Sequence, residues 1–229
     1  MATASISDVD NEIGSDKCKV MIVDDHPIIR QGLARMIAQE PDITVCGGTD
    51  NIVEAMEQVR QEHPDVIVVD ISLKDGYGID LIAHVKAFDE RIKLIVWSMF
   101  DDKIFAERAL RAGAMGYVNK REPVSCVVDG IRQVLRGEIY LAPKMTSRLL
   151  HRLTGDQSLG KDPISELTDR EVEVFHMIGQ GMTTQEIGRK LGLKPKTIES
   201  HRENIKFKLS LRNAAELNCR AVQWVLENT

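Results

Sequence analysis

Five polar side chains stand just beyond short apolar runs. Asp24 and Asp25 follow Lys19–Val23, Asp70 follows Val66–Val69 and Ser98 follows Lys93–Trp97. Lys120 comes two residues after Met115–Val118. Three carboxylates, a hydroxyl and an ammonium can do phosphorus chemistry if they meet in one place. Clustered carboxylates repel one another unless a cation joins them. Mg2+ suits such a set, because it takes one or two carboxylates and completes its shell with water and phosphate oxygens. Asp70 is then the nucleophile toward phosphorus, giving an aspartyl-phosphate. Mg2+ and Lys120 would balance charge on the transferring oxygens, and Ser98 would hydrogen-bond the phosphate once formed. Singly, each residue has an ordinary use: an Asp at a strand end caps or turns, and a Lys after a strand is solvated. Their shared register with five apolar runs carries the reading.

The runs that must position them are Lys19–Val23, Ile43–Cys46, Val66–Val69, Lys93–Trp97 and Met115–Val118. The Val/Ile-rich ones have the composition of strands buried on both faces. Helical periods separate them, over Ile28–Gln39, Ile52–Glu62, Gly78–Phe88 and Asp102–Ala112. Pro123 opens a last helix whose expected inner face is Val124, Val127, Val128, Ile131 and Leu135. Alternation of this kind predicts an α/β, doubly wound five-stranded parallel sheet. All five polar residues then lie at carboxyl ends of strands, where such sheets bind ligands.

After Gly137 the pattern breaks. Residues 137–163 read as a linker, with a short helix expected over Lys144–Leu153, and residues 164–229 carry only helical signals. Thr168 with Glu171 forms a capping box opening one helix. A second is capped by Thr183 or Thr184 and turns inward Ile187 and Leu191. Gly192-Leu193 makes a tight turn, and Pro195 starts a third helix over Pro195–Leu209. A fourth runs from Asn213 to about Leu226 with Leu217, Val222 and Val225 inward. Two short helices joined by a Gly-containing turn are the helix-turn-helix signature, whose second helix enters the major groove of DNA.

Composition sets outer bounds. The 229 residues carry a net charge of −5, which alone argues against nucleic acid. The acidic excess sits in residues 1–165. Between Arg189 and Arg212, eight cations (Arg189, Lys190, Lys194, Lys196, Arg202, Lys206, Lys208, Arg212) face only Glu199 and Glu203, a candidate phosphate-contacting surface. No apolar run approaches the roughly 20 residues of a membrane span. The four cysteines are scattered, without metal-ligand spacing, as expected of reduced thiols in a cytoplasmic protein. Met1–Asp16 lacks the features of a signal peptide and reads as a disordered leader.

Residues 17–136 resemble a receiver domain of two-component signalling. The carrying motifs are V-D-D-H-P at Val23–Pro27, which is similar to the NarL/FixJ group, P-D-V-I-V-V-D at Pro64–Asp70, W-S-M at Trp97–Met99 and G-A-M-G-Y-V-N-K at Gly113–Lys120. The resemblance implies a flavodoxin-like strand order 2-1-3-4-5 and Asp70 as phosphoacceptor. It implies Asp24, Asp25, Asp70 and the backbone carbonyl of Ser72 as Mg2+ ligands, and Ser98, Tyr117 and Lys120 as phosphate-binding and switch residues. Lys74 stands where the family usually has proline, which would place a positive charge near the phosphate, and Met99 is bulkier than usual. Residues 166–225 resemble a LuxR-type DNA-binding domain through L-T-D-R-E, T-T-Q-E-I-G-R-K-L and K-T-I-E-S-H-R-E-N-I-K-F-K-L. That resemblance implies Lys194, Lys196, Thr197, Glu199, Ser200, His201, Arg202 and Lys206 on the DNA face. It also implies a homodimer on paired half-sites through the last helix, by Leu217, Ala221 and Trp224.

The expected whole is a non-enzymatic transcriptional regulator, with a sensor histidine kinase as phosphodonor, double-stranded DNA as target and no membrane partner. An alternative is a DNA-binding regulator that works without phosphorylation. A phosphatase of the haloacid dehalogenase class also uses a strand-end Asp, but needs a second acid two residues on, where Ser72 stands.

Overall fold

In the computed structural model, residues 17–74, 76–100, 102–147 and 163–228 are described; the expected leader and most of the expected linker lie outside them. Five parallel strands, β1 (Cys18–Val23), β2 (Ile43–Thr49), β3 (Val66–Val69), β4 (Lys93–Ser98) and β5 (Gly116–Asn119), form one sheet in the order β2-β1-β3-β4-β5. Strand order reverses at β1, so a crevice opens at the carboxyl ends of β1 and β3. Register sets what lines it: Val23 pairs with Val69, Val69 with Val96, and Ser98 with Asn119.

Side chains alternate between two buried faces, as period two requires. Val20, Ile22, Val68 and Ile95 pack under α1 (Pro27–Ile37) and α5 (Ser125–Leu135). Met21, Val23, Ile67 and Val96 pack under α2 (Ile52–Glu62), α3 (Gly78–Phe88) and α4 (Asp102–Ala112). Two expectations need correction. Strand β2 continues past Cys46: the register slips by one residue there, and Gly47, Gly48 and Thr49 then pair with Met21, Ile22 and Val23. Helix α5 turns in Val127, Ile131 and Val134 at 4- and 3-residue spacing, leaving Leu135, one residue further round, 40% exposed.

Beyond a short 3-10 turn at Pro163–Glu166 come α6 (Asp169–Gly179), α7 (Thr184–Lys190), α8 (Pro195–Lys208) and α9 (Ala214–Asn228). Thr168 with Glu171 and Thr183 with Glu186 close capping boxes on α6 and α7, each satisfying two backbone donors the helix leaves orphaned. A Cβ on Gly188 would stand 2.8 Å from the Leu193 carbonyl, so the helix-turn-helix corner closes only over glycine. On α9 the inward stripe is Leu217, Ala221 and Trp224, packed on α6, and Val222 faces out at 42% exposure. The expectation for Val222 was therefore wrong. Leu217, Ala221 and Trp224, expected as the dimer contact, are consumed inside the chain.

The two folds share a core. Arg108 on α4 bonds the Asp169 carboxylate and the carbonyls of Ile164 and Leu167. Phe100 stacks edge-on to His176 at 4.6 Å between ring centroids, and Phe105 lies 6.1 Å from Trp224. Such ring pairs contribute about 0.5–1.5 kcal/mol each beyond their buried area. A cleft of about 650 Å³ runs along this seam beside Asp80, Arg111 and Thr168, away from the carboxylates of the crevice.

Candidate functional site: an acidic pocket and a basic helix

Asp24 and Asp70 are the residues after the paired Val23 and Val69, and the Asp70 N–H donates to the Val23 carbonyl at 2.8 Å. Both side chains are buried. Lys120 follows β5, its N–H held by the Ser98 carbonyl at 2.8 Å. Its Nζ reaches 2.6 Å from Asp24 Oδ2 and 2.6 Å from Asp70 Oδ2. It also lies 5.4 Å from the centroid of the Trp97 ring. The second Asp70 oxygen accepts from the Ile71 N–H at 2.6 Å. Asp25 is half-buried beside them, and Ser72 is half-buried two residues past Asp70.

The electrostatics follow from burial. Burial pushes the Asp70 carboxyl above its ordinary range; Lys120 opposes this, and the Asp24 charge adds to it. Burial also works against the Lys120 ammonium, but Asp70 and Asp24 together outweigh it and hold the proton on. A single cation thus bridges two buried anions, with the third at the rim. The Ser98 hydroxyl is buried without a well-aligned hydrogen bond, yet close enough to Asp70 to favour its anion.

The donor set fits a small hard cation. Asp24, Asp25, His26 and Asp70 each offer a ligand atom within 4.8 Å of the others. Asp24 Oδ2 lies against the Lys120 ammonium and Asp25 Oδ1 against the His26 ring, but neither has a well-aligned hydrogen-bond donor, which leaves lone pairs for a divalent ion. Asp24, Asp25 and Asp70 would hold Mg2+, which when bound would draw Asp70 toward its ionised form and screen incoming phosphate oxygens.

Close approach of backbone explains Gly78, at the start of α3. A Cβ there would sit 2.0 Å from the Asp70 carbonyl. Lys74, flagged for its charge, points elsewhere: its Nζ lies 3.5 Å from Asp50 Oδ2, at 72% exposure. Its backbone N–H donates to the Asp50 carbonyl at 3.1 Å, a bond proline lacks the hydrogen to make. The expected positive charge near the phosphate is therefore corrected to a loop tie. Met99 is 39% exposed at the pocket's edge of β4. Tyr117 is buried, its hydroxyl donating to the Phe100 carbonyl at 2.9 Å, and Asn119 Nδ2 donates to the same oxygen at 2.9 Å.

Sequence reasoning missed His26. Its N–H donates to Asp24 Oδ1 at 2.8 Å and its Nδ1 lies 2.7 Å from Asp25 Oδ1, orienting both acids. The one available signal was its place directly after the paired acids. It also missed Phe100, Arg108 and His176 at the domain seam, where nothing local marks contacts between residues 56 to 76 positions apart.

On the second surface, Lys194, Lys196, Thr197, Glu199 and Ser200 are exposed around the start of α8, while His201, Arg202 and Lys206 are half-buried. Ile198 and Ile205 point inward and so turn the polar face out. Glu199 accepts from the Thr184 hydroxyl at 2.7 Å, and Arg202 donates to Asn218 at 3.2 Å, which fixes α8 against its neighbours. Lys206 pairs with Glu203 at 2.9 Å. Lys194 and Lys196 make no ion pair among the described residues, so their charge is turned to solvent. Lys208 pairs with Glu171 at 2.6 Å and ties the end of α8 to the start of α6.

Comparison with known proteins finds a family for each part of the chain. Residues 20–132 match the response regulator receiver domain, and residues 165–221 match the bacterial regulatory proteins of the luxR family. Oxygen regulatory protein NreC of Staphylococcus carnosus (strain TM300) is 35% identical over 205 residues, covering 87% of this chain and 94% of that protein. A LuxR-family two-component response regulator from Aurantimonas sp. SI85-9A1 is 30% identical with a TM-score of 0.57, covering 60% of this chain and 99% of that one. An RcsB–DNA complex is 25% identical with a TM-score of 0.68, covering 89% of this chain and 97% of that one. The chain therefore belongs to the NarL/FixJ-family response regulators, DNA-binding transcription regulators that join a receiver domain to a LuxR-type helix-turn-helix domain.

Proposed function

We propose that Asp70 accepts a phosphoryl group from a sensor histidine kinase, with Mg2+ on Asp24, Asp25, Asp70 and the Ser72 carbonyl, and that this controls DNA binding by α8. The carrying observation is Lys120 held 2.6 Å from both Asp24 and Asp70 at the point where strand order reverses. The nucleophile and its charge partner are thereby pre-positioned, and no proton need be abstracted from Asp70 once it is ionised. Lys120 then stabilises the charge on the transferring oxygens. Ser98, buried and lacking a well-aligned partner, turns to the new phosphate, and the bond from Tyr117 to Phe100 follows that movement. Receiver and linker bounds at 17–136 and 137–163 and a DNA-binding domain at 164–229 fit this division of labour.

The test is direct. With Mg2+ and phosphoramidate, the wild-type chain should form a hydroxylamine-labile acyl-phosphate, and Asp70→Asn should lose it by about two orders of magnitude or more. Beryllofluoride should change Trp97 fluorescence, because that ring touches Lys120. An Asp70→Asn chain with full regulation in cells would favour the phosphorylation-independent alternative.

On DNA, a second copy is expected. Ala215, Cys219, Val222 and Leu226 are exposed on α9. Their 4-3-4 spacing is that of a helix–helix seam, and a two-fold axis would pair it with itself. This stripe replaces Leu217, Ala221 and Trp224 as the dimer contact. Cys18, Cys46 and Cys126 are less exposed, so a thiol crosslinker should join two chains through Cys219 when target DNA is present. Cys219→Ser should abolish that product; crosslinking that persists through another cysteine would refute the stripe.

A further inference from the structure

The polar face of α8 ends in an aromatic ring that the chain itself does not use. Phe207 is 86% exposed, more than any other large apolar side chain described. Among the described residues its ring meets no other ring and no cation. At about 100° per residue it stands about 180° round the helix from the buried Ile198. Lys196, Ser200, Glu203 and Phe207 make that outward stripe at 4-3-4 spacing, and all four are exposed. The charges beside the ring are already paired, Lys206 with Glu203 at 2.9 Å and Lys208 with Glu171 at 2.6 Å. Lys194 and Lys196, which make no ion pair among the described residues, stand at the other end of the helix. One face of α8 thus offers cations at its start and an apolar group about 16 Å further along the axis.

The major groove of DNA answers those two groups differently. Phosphates at its edges take the cations. Among the base edges on its floor, the one apolar group is the C5-methyl of thymine. We infer that α8 lies along the groove, rather than entering by its start alone, and that Phe207 packs on a thymine methyl at the far end of the helix. The contact takes apolar surface of both partners out of water, and it adds a base preference that charge alone cannot give. DNA suits the ring better than a second copy of the chain does. Phe207 continues the stripe that begins at Lys196, and the outer stripe of α9 already offers a surface for pairing. The inference rests on the reading of α8 as the DNA-binding helix and names a base that this helix reads.

Removing the methyl and the ring separately tests it. The probe is a duplex enriched from a random-sequence pool by the wild-type full-length chain, with its thymines replaced one at a time by deoxyuridine. Base pairing is kept and only the methyl is lost. At one thymine of the site, uracil should weaken wild-type binding by about fourfold, the worth of one buried methyl. Phe207→Ala should weaken binding to the intact duplex by about tenfold and should no longer distinguish thymine from uracil there. Phe207→Leu, which keeps an apolar group, should keep part of the distinction. Thermal melts of the variants should match wild type, because the side chain is open to solvent. A Phe207→Ala chain with unchanged affinity, or one that stays as sensitive to uracil as wild type, would overturn the proposal. So would a change in the mass of the DNA-free chain in solution, which would assign the ring to a second copy. Lys196→Ala tells the two readings apart. If it weakens binding while Phe207→Ala does not, the methyl contact alone fails; if neither does, the reading of α8 fails with it.

Discussion

At the scale of single residues, Lys120 decides whether the pocket is tolerable. Two buried carboxylates share its ammonium at 2.6 Å, and removing one partner of a buried ion pair strands charge in a poor solvent. Lys120→Ala should therefore lower folding stability by about 3–5 kcal/mol in EDTA. Millimolar Mg2+ should recover part of that loss, because a divalent ion does the same electrostatic work. Thermal melts of both proteins with and without Mg2+ would show this. An equal Mg2+ response in the two would mean that the ion does not sit with Asp24 and Asp70. Arginine at 120 would be a poor substitute, since its planar fork cannot present one compact charge to both acids.

At the scale of elements, α6 carries two titratable groups into the seam, and their pH effects oppose. His176 is buried with neither ring nitrogen hydrogen-bonded; burial, then the Lys190 charge, holds it down at about 4 against an ordinary 6.5. The folded chain refuses a proton that the unfolded chain accepts, so this contribution is lost as pH falls from 6.5 toward 4. Burial pushes Glu173 up to about 7 from an ordinary 4.5, with Arg170 opposing and Asp80 adding. The folded chain keeps a proton that the unfolded chain sheds, so this contribution is lost as pH rises from 4.5 toward 7. Each amounts to about 1.4 kcal/mol per pH unit at full weight, and they cancel where the windows overlap. Relative to wild type, Glu173→Gln should lose stability toward acid and His176→Gln toward neutrality. Urea titrations at pH 5 and 6.5 that run parallel for all three proteins would contradict this assignment.

At the scale of the whole molecule, Trp224 joins what the chain order separates. Its ring lies 5.6 Å from Phe175 within the DNA-binding domain and 6.1 Å from Phe105 of the receiver. Trp224→Ala should cost about 3–5 kcal/mol in the helical domain and uncouple the two domains. The chain has two tryptophans, so Trp97 alone then reports the receiver. Helical circular dichroism should fall at lower urea than the Trp97 signal, whereas in the wild-type chain the two transitions should coincide. Coincident transitions in the variant would show that the seam couples little.

Much of this was legible in the residues because it is local. Val/Ile-rich runs, helical spacing and the capping box at Thr168 are written over a few positions, and strand ends place Asp24, Asp70, Ser98 and Lys120 at one edge once the sheet is doubly wound. Helix phase was less legible. A shift of one residue turns a side chain by about 100°, which is why Leu135 and Val222 were taken as inward, and why Ala221 and Trp224 were assigned to a partner rather than to α6. Packing against a distant element chose that phase. The docking of α6 and α9 on α4, the tie of Lys74 to Asp50, and His26 as the support of two acids left no trace in spacing. Each joins groups that meet only when separate elements close on one another, and burial of Phe105 and Trp224 together selects that arrangement over others with the same local pattern.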